Sequence, residues 1–287
     1  MLNHTFCHLP GIGLKTEQRL WAAGIRSWED WQNPGPVRLP ALTRIDAPGH
    51  LSASRTALAD NPHFFTKSLP GSELWRIFPH FRESTAYLDI ETTGLDDDAA
   101  ITTIALYDGE TVRVYVNGKN LDDFVDDIAL YQVIVSYNGR SFDVPFLERF
   151  FGIRLGHAHL DLRHILARLG FSGGLKGCER QLGLHRGTLD GVDGSFAVLL
   201  WHRYRTLGDD RALETLLAYN IEDTVNLERL AVEAYNRNLF NTPFAEKLLI
   251  PCPPSPPNPF VADHEIVASI KRCLPTDRSK HVPEDWR

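Results

Sequence analysis

The chain has 287 residues, 43% of them hydrophobic, which is enough to fill the core of one domain of ordinary size with an appendage. Its formal net charge of −7 at pH 7 argues against a protein that binds nucleic acid through its whole surface. No apolar run approaches the ~18 to 20 residues that span a bilayer, and no signal peptide is evident, so we expect a cytoplasmic protein without a membrane partner.

The first 84 residues are predicted to form a helical region. Residues 9–13 have the sequence Leu-Pro-Gly-Ile-Gly, and a helical pattern follows them. Gly11 and Gly13 permit a tight turn, after which the unpaired amides of the next helix attract anions. The segment near residues 9–25 resembles one hairpin of the helix-hairpin-helix type, which grips nucleic-acid backbones without reading bases. A plain helical hairpin that packs on the main domain is the alternative.

The rest of this region combines a linker, two helical patterns and an aromatic segment. Residues 33–40 contain three prolines and one glycine, which is typical of a linker. Helices are predicted near residues 52–60 and 64–69. The aromatic side chains of residues 74–81 can stack on bases, but burial against the next domain is the more frequent fate of such side chains.

Two carboxylates share one face of a predicted strand. Leu88 and Ile90 alternate with Asp89 and Glu91, and side chains of a strand switch faces at every step. Two like charges side by side are unfavourable unless a cation lies between them. Residues 92–94 end the strand, where α/β proteins usually place their sites. The pair favours a hard divalent metal, Mg²⁺ or Mn²⁺, although such pairs also occur on solvated strand faces.

Further patterns predict an α/β domain around this strand. Residues 101–107 and 111–116 are predicted strands, and Asp108-Gly109 between them is a strong hairpin signal. The first three strands therefore form an antiparallel meander. The remaining predictions are a helix over 121–130, a strand over 133–137 and helices over 144–151, 163–169, 174–184, 196–204 and 210–238.

Several polar residues lie at defined places in these later elements. Asp143 occupies the position of an N-cap or first-turn acid, and helix capping alone would explain an acid there. A role in a metal site is the competing interpretation. Tyr219 and Asp223 lie four residues apart on the long helix and hence on one face. Glu222 points about 100° away from Asp223 and is predicted to face solvent. Asp161 is predicted to cap the following helix.

The chain beyond residue 242 is predicted to be a tail. Residues 251–259 contain six prolines, which exclude a helix or sheet interior and predict an extended segment. A spacer wrapped on the surface is the favoured interpretation, and a docking peptide for a proline-reading domain is the alternative. A short helix is predicted over residues 262–272.

Cysteine spacing and charge distribution add two expectations. Residues 89–127 contain eleven acids and two cations, whereas residues 140–186 contain eight Lys or Arg, four acids and four histidines. This asymmetry fits a metal-carrying acidic centre beside a basic flank that holds phosphates, although solvated helix faces explain much of it. The cysteines lack C-x-x-C spacing and are predicted to be free thiols; they are Cys7, Cys178, Cys252 and Cys273.

The polar residues combine into three motifs in order: Asp-x-Glu at Asp89 and Glu91, Asn-x-x-x-Phe-Asp at residues 138–143, and Tyr-x-x-x-Asp at Tyr219 and Asp223. The set resembles the DEDD superfamily of 3′→5′ exonucleases, and the tyrosine is similar to that of its DEDDy branch. The resemblance extends from about residue 85 to 238, and the phrase at residues 174–184 is similar to a subgroup of predicted bacterial exonucleases. It implies an α/β fold of the ribonuclease H-like type, a mixed sheet flanked by helices.

The resemblance also implies a site that holds two divalent ions, Mg²⁺ or Mn²⁺. Asp89, Glu91, Asp143 and Asp223 are the implied metal ligands, because four carboxylates from separate elements can hold such a pair of ions and leave positions open for water and phosphate. Tyr219 is the fifth implied catalytic residue. Since its ordinary pKa is near 10, we expect its hydroxyl to position the attacking water rather than to take a proton.

These expectations define a function and a division of the chain. We expect a 3′→5′ exonuclease acting on single-stranded DNA, with an exoribonuclease and a non-catalytic nucleic-acid or protein binding module as alternatives. The expected parts are an N-terminal helical region (1–84), the exonuclease domain (85–240) and a Pro-rich tail (241–287), which is a candidate docking segment for a protein partner. The candidate contacts to nucleic acid are Thr92, Asn138, Arg140, Phe142, Lys176, Gly11 and Gly13, with Arg180 as a further phosphate contact.

Overall fold

The computed structural model describes residues 1–31, 37–96, 98–190, 192 and 194–273. Gln32, residues 33–36 of the predicted linker and the end of the predicted tail lie outside the described residues, as does the side chain of Cys273. Cys7, Cys178 and Cys252 are free thiols, as predicted.

A mixed sheet forms the centre of the fold, and in the described part of the chain it has five strands in the order β3-β2-β1-β4-β5. β1 and β2 pair antiparallel, as do β2 and β3, which confirms the predicted meander. β4 pairs parallel with β1, and β5 pairs parallel with β4. The strands are β1 (Thr85–Thr92), β2 (Ile101–Tyr107), β3 (Val112–Val116), β4 (Val133–Ser136) and β5 (Ala158–Asp161).

Capping residues and glycines mark the ends of several helices. Asp161 caps α7, as predicted, and Asp209 caps α10, each by accepting a bond from a backbone amide two residues later. Gly152 ends α6 in the left-handed region, with φ of 65°. The helices are α1 (Leu14–Ala22), α2 (Ala41–Ala57), α3 (Pro62–Ser68), α4 (Phe78–Phe81), α5 (Phe124–Ile128), α6 (Asp143–Phe151), α7 (Leu162–Arg168), α8 (Gly174–Gln181), α9 (Gly194–Leu207), α10 (Asp210–Leu239), α11 (Ala245–Leu248) and α12 (His264–Cys273).

The two faces of the sheet are covered by different helices. Leu88 and Ile90 belong to a buried cluster with Phe124 of α5 and Phe146 of α6. α10 packs across β1 and β2, so the odd-numbered residues of β1 face this long helix. Asp89 and Glu91 therefore point toward α10, which carries the last predicted acid. Among the described residues no helix combines the length and the apolar content needed to cross a membrane.

A buried ionic network joins two parts of the N-terminal region, α1 and the segment that precedes α4. Glu17 of α1 is 1% exposed, and its Oε1 accepts from Arg76 Nη1 at 2.8 Å and from the amides of Phe6 and Cys7. Arg76 also pairs with Glu73 at 2.7 Å. The aromatic segment 74–81 is buried rather than presented for base stacking: its aromatic rings Trp75, Phe78 and Phe81 are all at most 4% exposed.

The proline-rich segment lies along α10, in agreement with a spacer wrapped on the surface. Asn236 exchanges two hydrogen bonds with the backbone of Ile250, at 2.8 and 2.9 Å. Asn258 donates to the carbonyl of Ala218 at 2.9 Å. α12 then buries Ile266 against the core formed with α9 and α10. The use of this segment as a docking peptide stays a prediction.

Candidate active site

Three carboxylates meet between β1 and α10. One carboxylate oxygen from each of Asp89, Glu91 and Asp223 lies within 4.8 Å of the other two. The period of the strand places the first two on one face, and α10 crosses that face with Asp223 directed at the sheet. Glu91 and Asp223 are buried, and Asp89 is partly buried. The structure thus brings together three of the four predicted metal ligands.

The carboxylates of this cluster repel one another, and a bound cation would relieve that repulsion. Burial raises the pKa of Asp89 and of Glu91 well above the usual range, and the nearby carboxylate of Asp223 raises both further. Hard oxygen donors that repel one another in a water-poor site are the donor set that Mg²⁺ and Mn²⁺ prefer. The residues present therefore fit a divalent metal site.

The fourth predicted ligand, Asp143, lies beside the cluster. Its Oδ1 accepts a hydrogen bond of 3.2 Å from the amide of Ile90, between Asp89 and Glu91 in β1. Burial raises the pKa of Asp143 to about 7, although hydrogen bonds from its own amide and that of Ile90 oppose the rise. Asp143 is the first residue of α6, so its predicted place in the first turn is correct.

A tight loop carries Asp143 to this position. Asn138 has φ of 68°, and its amide donates to Asp161 Oδ1 at 2.8 Å. A Cβ at Gly139 would come within 2.2 Å of Ser136 Oγ and 3.2 Å of Asp143 Oδ2, so only glycine fits there. Asp161 thus does more than cap α7, because it also fixes the loop that precedes Asp143.

Tyr219 and Lys176 form a pair at the edge of the cluster. The Lys176 ammonium donates to the Tyr219 hydroxyl, lies 4.3 Å from the centre of its ring, and is 3.5 Å from Asp223 Oδ2. Tyr219 is 1% exposed. Burial raises the pKa of Tyr219, and the carboxylates of Asp223, Glu91 and Asp89 raise it further, so the hydroxyl keeps its proton at neutral pH. It is therefore a hydrogen-bond donor facing the carboxylates.

Arg186 is a component of the site that sequence reasoning missed. Its Nη1 donates to Asp223 Oδ1, while its Nε and Nη2 donate to the two oxygens of Glu179 at 2.7 and 2.5 Å. Burial alone lowers the pKa of Arg186, but the carboxylates of Asp223 and Glu179 outweigh this effect and raise it. Glu179 also accepts from Asn226 at 2.9 Å. The chain thus supplies a buried, fixed cation to Asp223.

Asn220 was also missed, and it holds the first carboxylate. Its Nδ2 donates to Asp89 Oδ2 at 2.8 Å, and its Oδ1 accepts from Thr103 Oγ1 at 3.0 Å. The side chain is fully buried. The sequence signal for Asn220 was its place among the apolar residues of a long helix. A buried Asn side chain requires hydrogen-bond partners, which the packed sheet supplies.

The candidate nucleic-acid contacts occupy several different surroundings. The Thr92 hydroxyl donates to the carbonyl of Gly94 at 2.7 Å and shapes the turn after β1. The ring of Phe142 packs against that of Phe146 at an interplanar angle of 51°, with ring centres 5.7 Å apart. Arg140 and Arg180 are exposed. Glu222, predicted to face solvent, is instead half-buried and accepts from Asn226 at 3.4 Å.

The hairpin glycines lie far along the chain from the carboxylates. Gly11 has φ of 79°, and Gly13 is the N-cap of α1. Both are exposed, as is Lys15 in the first turn of the helix. The preceding segment is a short 3₁₀ turn, Leu2–His4, rather than an α-helix. The turn and the helix after it are therefore present as predicted, and their contact with nucleic acid stays a prediction.

The family model of the RNase H superfamily matches residues 86–235, just over half of the chain, and the protein belongs to this superfamily. The matched range contains the carboxylate cluster and the five strands of the described sheet, except for Thr85 at the start of β1. The fold is therefore ribonuclease H-like, as predicted, and it is compatible with nuclease activity. The carboxylate cluster within it is compatible with a bound metal ion.

No curated protein sequence matches the chain. Among solved structures the chain is similar to the family B DNA polymerase from the hyperthermophilic archaeon Pyrobaculum calidifontis, with a TM-score of 0.34 and 16% sequence identity. The similarity covers 55% of this chain and 29% of the polymerase chain, so the protein spans less than a third of that polymerase's length.

Proposed function

We propose that this protein is a divalent-metal-dependent 3′→5′ exonuclease of the DEDDy branch that acts on single-stranded DNA. The convergence of Asp89, Glu91 and Asp223 within 4.8 Å, with Asp143 against the Ile90 amide, is the observation that carries the proposal. The order of the three motifs supports the direction of cleavage. We retain residues 85–240 as the catalytic domain, between the N-terminal region and the tail.

The four carboxylates would hold two ions, Mg²⁺ or Mn²⁺. When bound, such ions lower the pKa of the attacking water and stabilise the charge on the leaving 3′ oxygen. Asp89 is oriented for this task by Asn220, and Asp143 by the amide of Ile90. These hydrogen bonds leave oxygens of both carboxylates free to act as ligands.

Tyr219 and Lys176 would act on water and on the phosphate. A protonated hydroxyl can donate to the attacking water and orient it, whereas its raised pKa excludes proton abstraction near pH 7. The Lys176 side chain is 22% exposed. Its ammonium lies beside Tyr219 and Asp223, where it can compensate the negative charge that develops on the phosphate.

The test is hydrolysis of end-labelled oligonucleotides. Single-stranded DNA with a 5′ label should give a ladder of shortened products in Mg²⁺ or Mn²⁺, and the same strand with a 3′ label should release mononucleotide first. EDTA should stop both reactions. Parallel reactions with RNA and duplex DNA give the relative rates for the substrate classes. If RNA is cleaved faster than single-stranded DNA, the proposed substrate is RNA instead.

Asp143→Ala provides the inactive variant, and Asp122→Ala is its matched control on the protein surface. Loss of a metal ligand should lower the rate by at least about 100-fold, since even residues that only support ligands are worth 10- to 100-fold. Asp122 is exposed, so its variant should keep the parent rate. Equal rates for the parent and Asp143→Ala, or no cleavage of any substrate by the parent, would contradict the proposal.

A further inference from the structure

A groove separates the N-terminal region from the edge strand β5. It consists of two adjoining cavities of about 310 and 230 Å³, and Leu74, Arg140 and His159 line both of them. α3 lines the larger cavity and α7 the smaller one. We call this pair of cavities the β5 groove.

The β5 groove contains cations that the protein does not neutralise. Lys67, Arg140 and Arg168 are exposed, and across the described ranges no ion pair or hydrogen bond engages their charged side-chain groups. Asp161 is the acid that lines the groove within the described residues, and its two oxygens accept from backbone amides, including that of Arg140. His164 adds another basic side chain.

The loop from β4 to α6 links the groove to the carboxylate cluster. β1, β4 and β5 are consecutive neighbours in the sheet, and strands lie about 5 Å apart, so β5 is roughly 10 Å from the strand that carries Asp89. Ile134 and His159 are in register with Ala86, so the larger cavity lies on the face of the sheet opposite Asp89, and the loop connects the two faces. Arg140 lies in the loop that leads from β4 to Asp143. His63 of α3 donates to the carbonyl of Gly156 just before β5, which fixes the distance between the two sides of the larger cavity.

We propose that the β5 groove binds the sugar-phosphate backbone of the single strand whose 3′ end lies at the carboxylates; this inference rests on the proposed function. Each phosphate between nucleotides carries one negative charge, and Lys67, Arg140 and Arg168 offer three unpaired positive charges along the groove. Leu74 provides an apolar surface for the sugars. Arg140 and Arg168 belong to the basic segment 140–186, so the groove gives a role to part of that segment. In this arrangement the two cations contact the nucleotides that precede the scissile one.

The experiment measures equilibrium binding in EDTA, so that no cleavage occurs. Fluorescence anisotropy of 5′-labelled oligo-dT with 2, 4, 8 and 12 nucleotides would compare the parent with Lys67→Ala/Arg168→Ala. Lys247→Ala/Arg272→Ala removes the same charge from exposed positions outside the groove. Lys67→Arg/Arg168→Lys keeps the charge of the groove, and the melting temperature of each variant monitors folding.

For the 12-mer, losing two phosphate contacts should reduce the slope of log K against log salt by about 1.4 and weaken binding roughly 10- to 30-fold at 0.1 M salt. The loss of affinity in Lys67→Ala/Arg168→Ala should become smaller as the strand is shortened, and it should be absent for the dinucleotide. The control double variant and the charge-conserving variant should bind as the parent does. Equal binding and equal salt slopes for Lys67→Ala/Arg168→Ala and the control would overturn the groove assignment, whereas a parent that neither binds nor cleaves any strand would instead overturn the proposed function.

Discussion

Replacing Arg186 by methionine tests whether the carboxylate cluster depends on a buried cation in the absence of metal. The side chains of Arg186, Glu179 and Asp223 are only 3%, 1% and 8% exposed. Methionine fills much of the same volume without charge, so the variant leaves two buried carboxylates without their main partner. Breaking a buried pair in this way costs about 3 to 5 kcal/mol.

This cost is large enough to measure by thermal unfolding. For a chain of this size 1 kcal/mol corresponds to about 2 °C, so circular dichroism in EDTA should show the Tm falling by roughly 6 to 10 °C. Arg154→Met is the matched control: its side chain is 90% exposed and pairs with Glu148 at 2.9 Å. Exposed pairs contribute about 0 to 1 kcal/mol, so its Tm should change by about 2 °C or less.

Two further measurements separate the partners of Arg186. Mn²⁺ should raise the Tm of Arg186→Met more than that of the parent, because the ion compensates Asp223 and binding stabilises the folded state by mass action. Glu179→Gln/Arg186→Met should recover part of the lost stability, since the second buried charge is removed. A Tm change as small as that of Arg154→Met, or an equal response of parent and variant to Mn²⁺, would refute this reasoning.

Three other substitutions give further predictions, two at the carboxylate site and one in the N-terminal region. Tyr219→Phe should slow turnover about 10- to 100-fold without weakening Mn²⁺ binding measured by calorimetry, and an unchanged rate would contradict its role on water. Asn220→Ala should weaken Mn²⁺ binding and cost about 1 to 3 kcal/mol in urea unfolding, because Asp89 loses its donor; unchanged affinity would contradict this. Burial lowers the pKa of His8 to about 4 in the folded protein. The free energy of unfolding should therefore fall by about 2 kcal/mol from pH 7 to 5, because the unfolded chain gains a proton that the folded protein does not. His8→Gln should remove this part of the pH dependence.

Local patterns were sufficient to predict the elements that carry most of the site. The alternation around Asp89 and Glu91 is set by the period of a strand, and the spacing of Tyr219 and Asp223 by the period of a helix. Both depend only on neighbouring residues, so the sequence was enough to place each pair on one face. The Asp108-Gly109 hairpin was predictable for the same reason.

Elements defined by distant partners were not predictable in this way. β5 has only four residues, Ala158–Asp161, and it is a strand because it pairs with β4, which no local pattern reveals. Arg186 reaches Asp223 across 37 positions in the chain, and Arg76 reaches Glu17 across 59. Such pairs exist only after packing has brought their elements together.

The four acids differ in how the protein itself compensates them. Asp89 receives a hydrogen bond from Asn220, Asp143 from the amide of Ile90, and Asp223 from Arg186. Glu91 is 8% exposed, and within the described residues neither a hydrogen bond nor an ion pair engages its carboxylate. A buried acid that the fold leaves without a donor is costly unless its partner comes from outside the chain. Glu91 is therefore the acid whose partner comes from outside the chain, as water or as a bound cation, because the other three have partners within the fold.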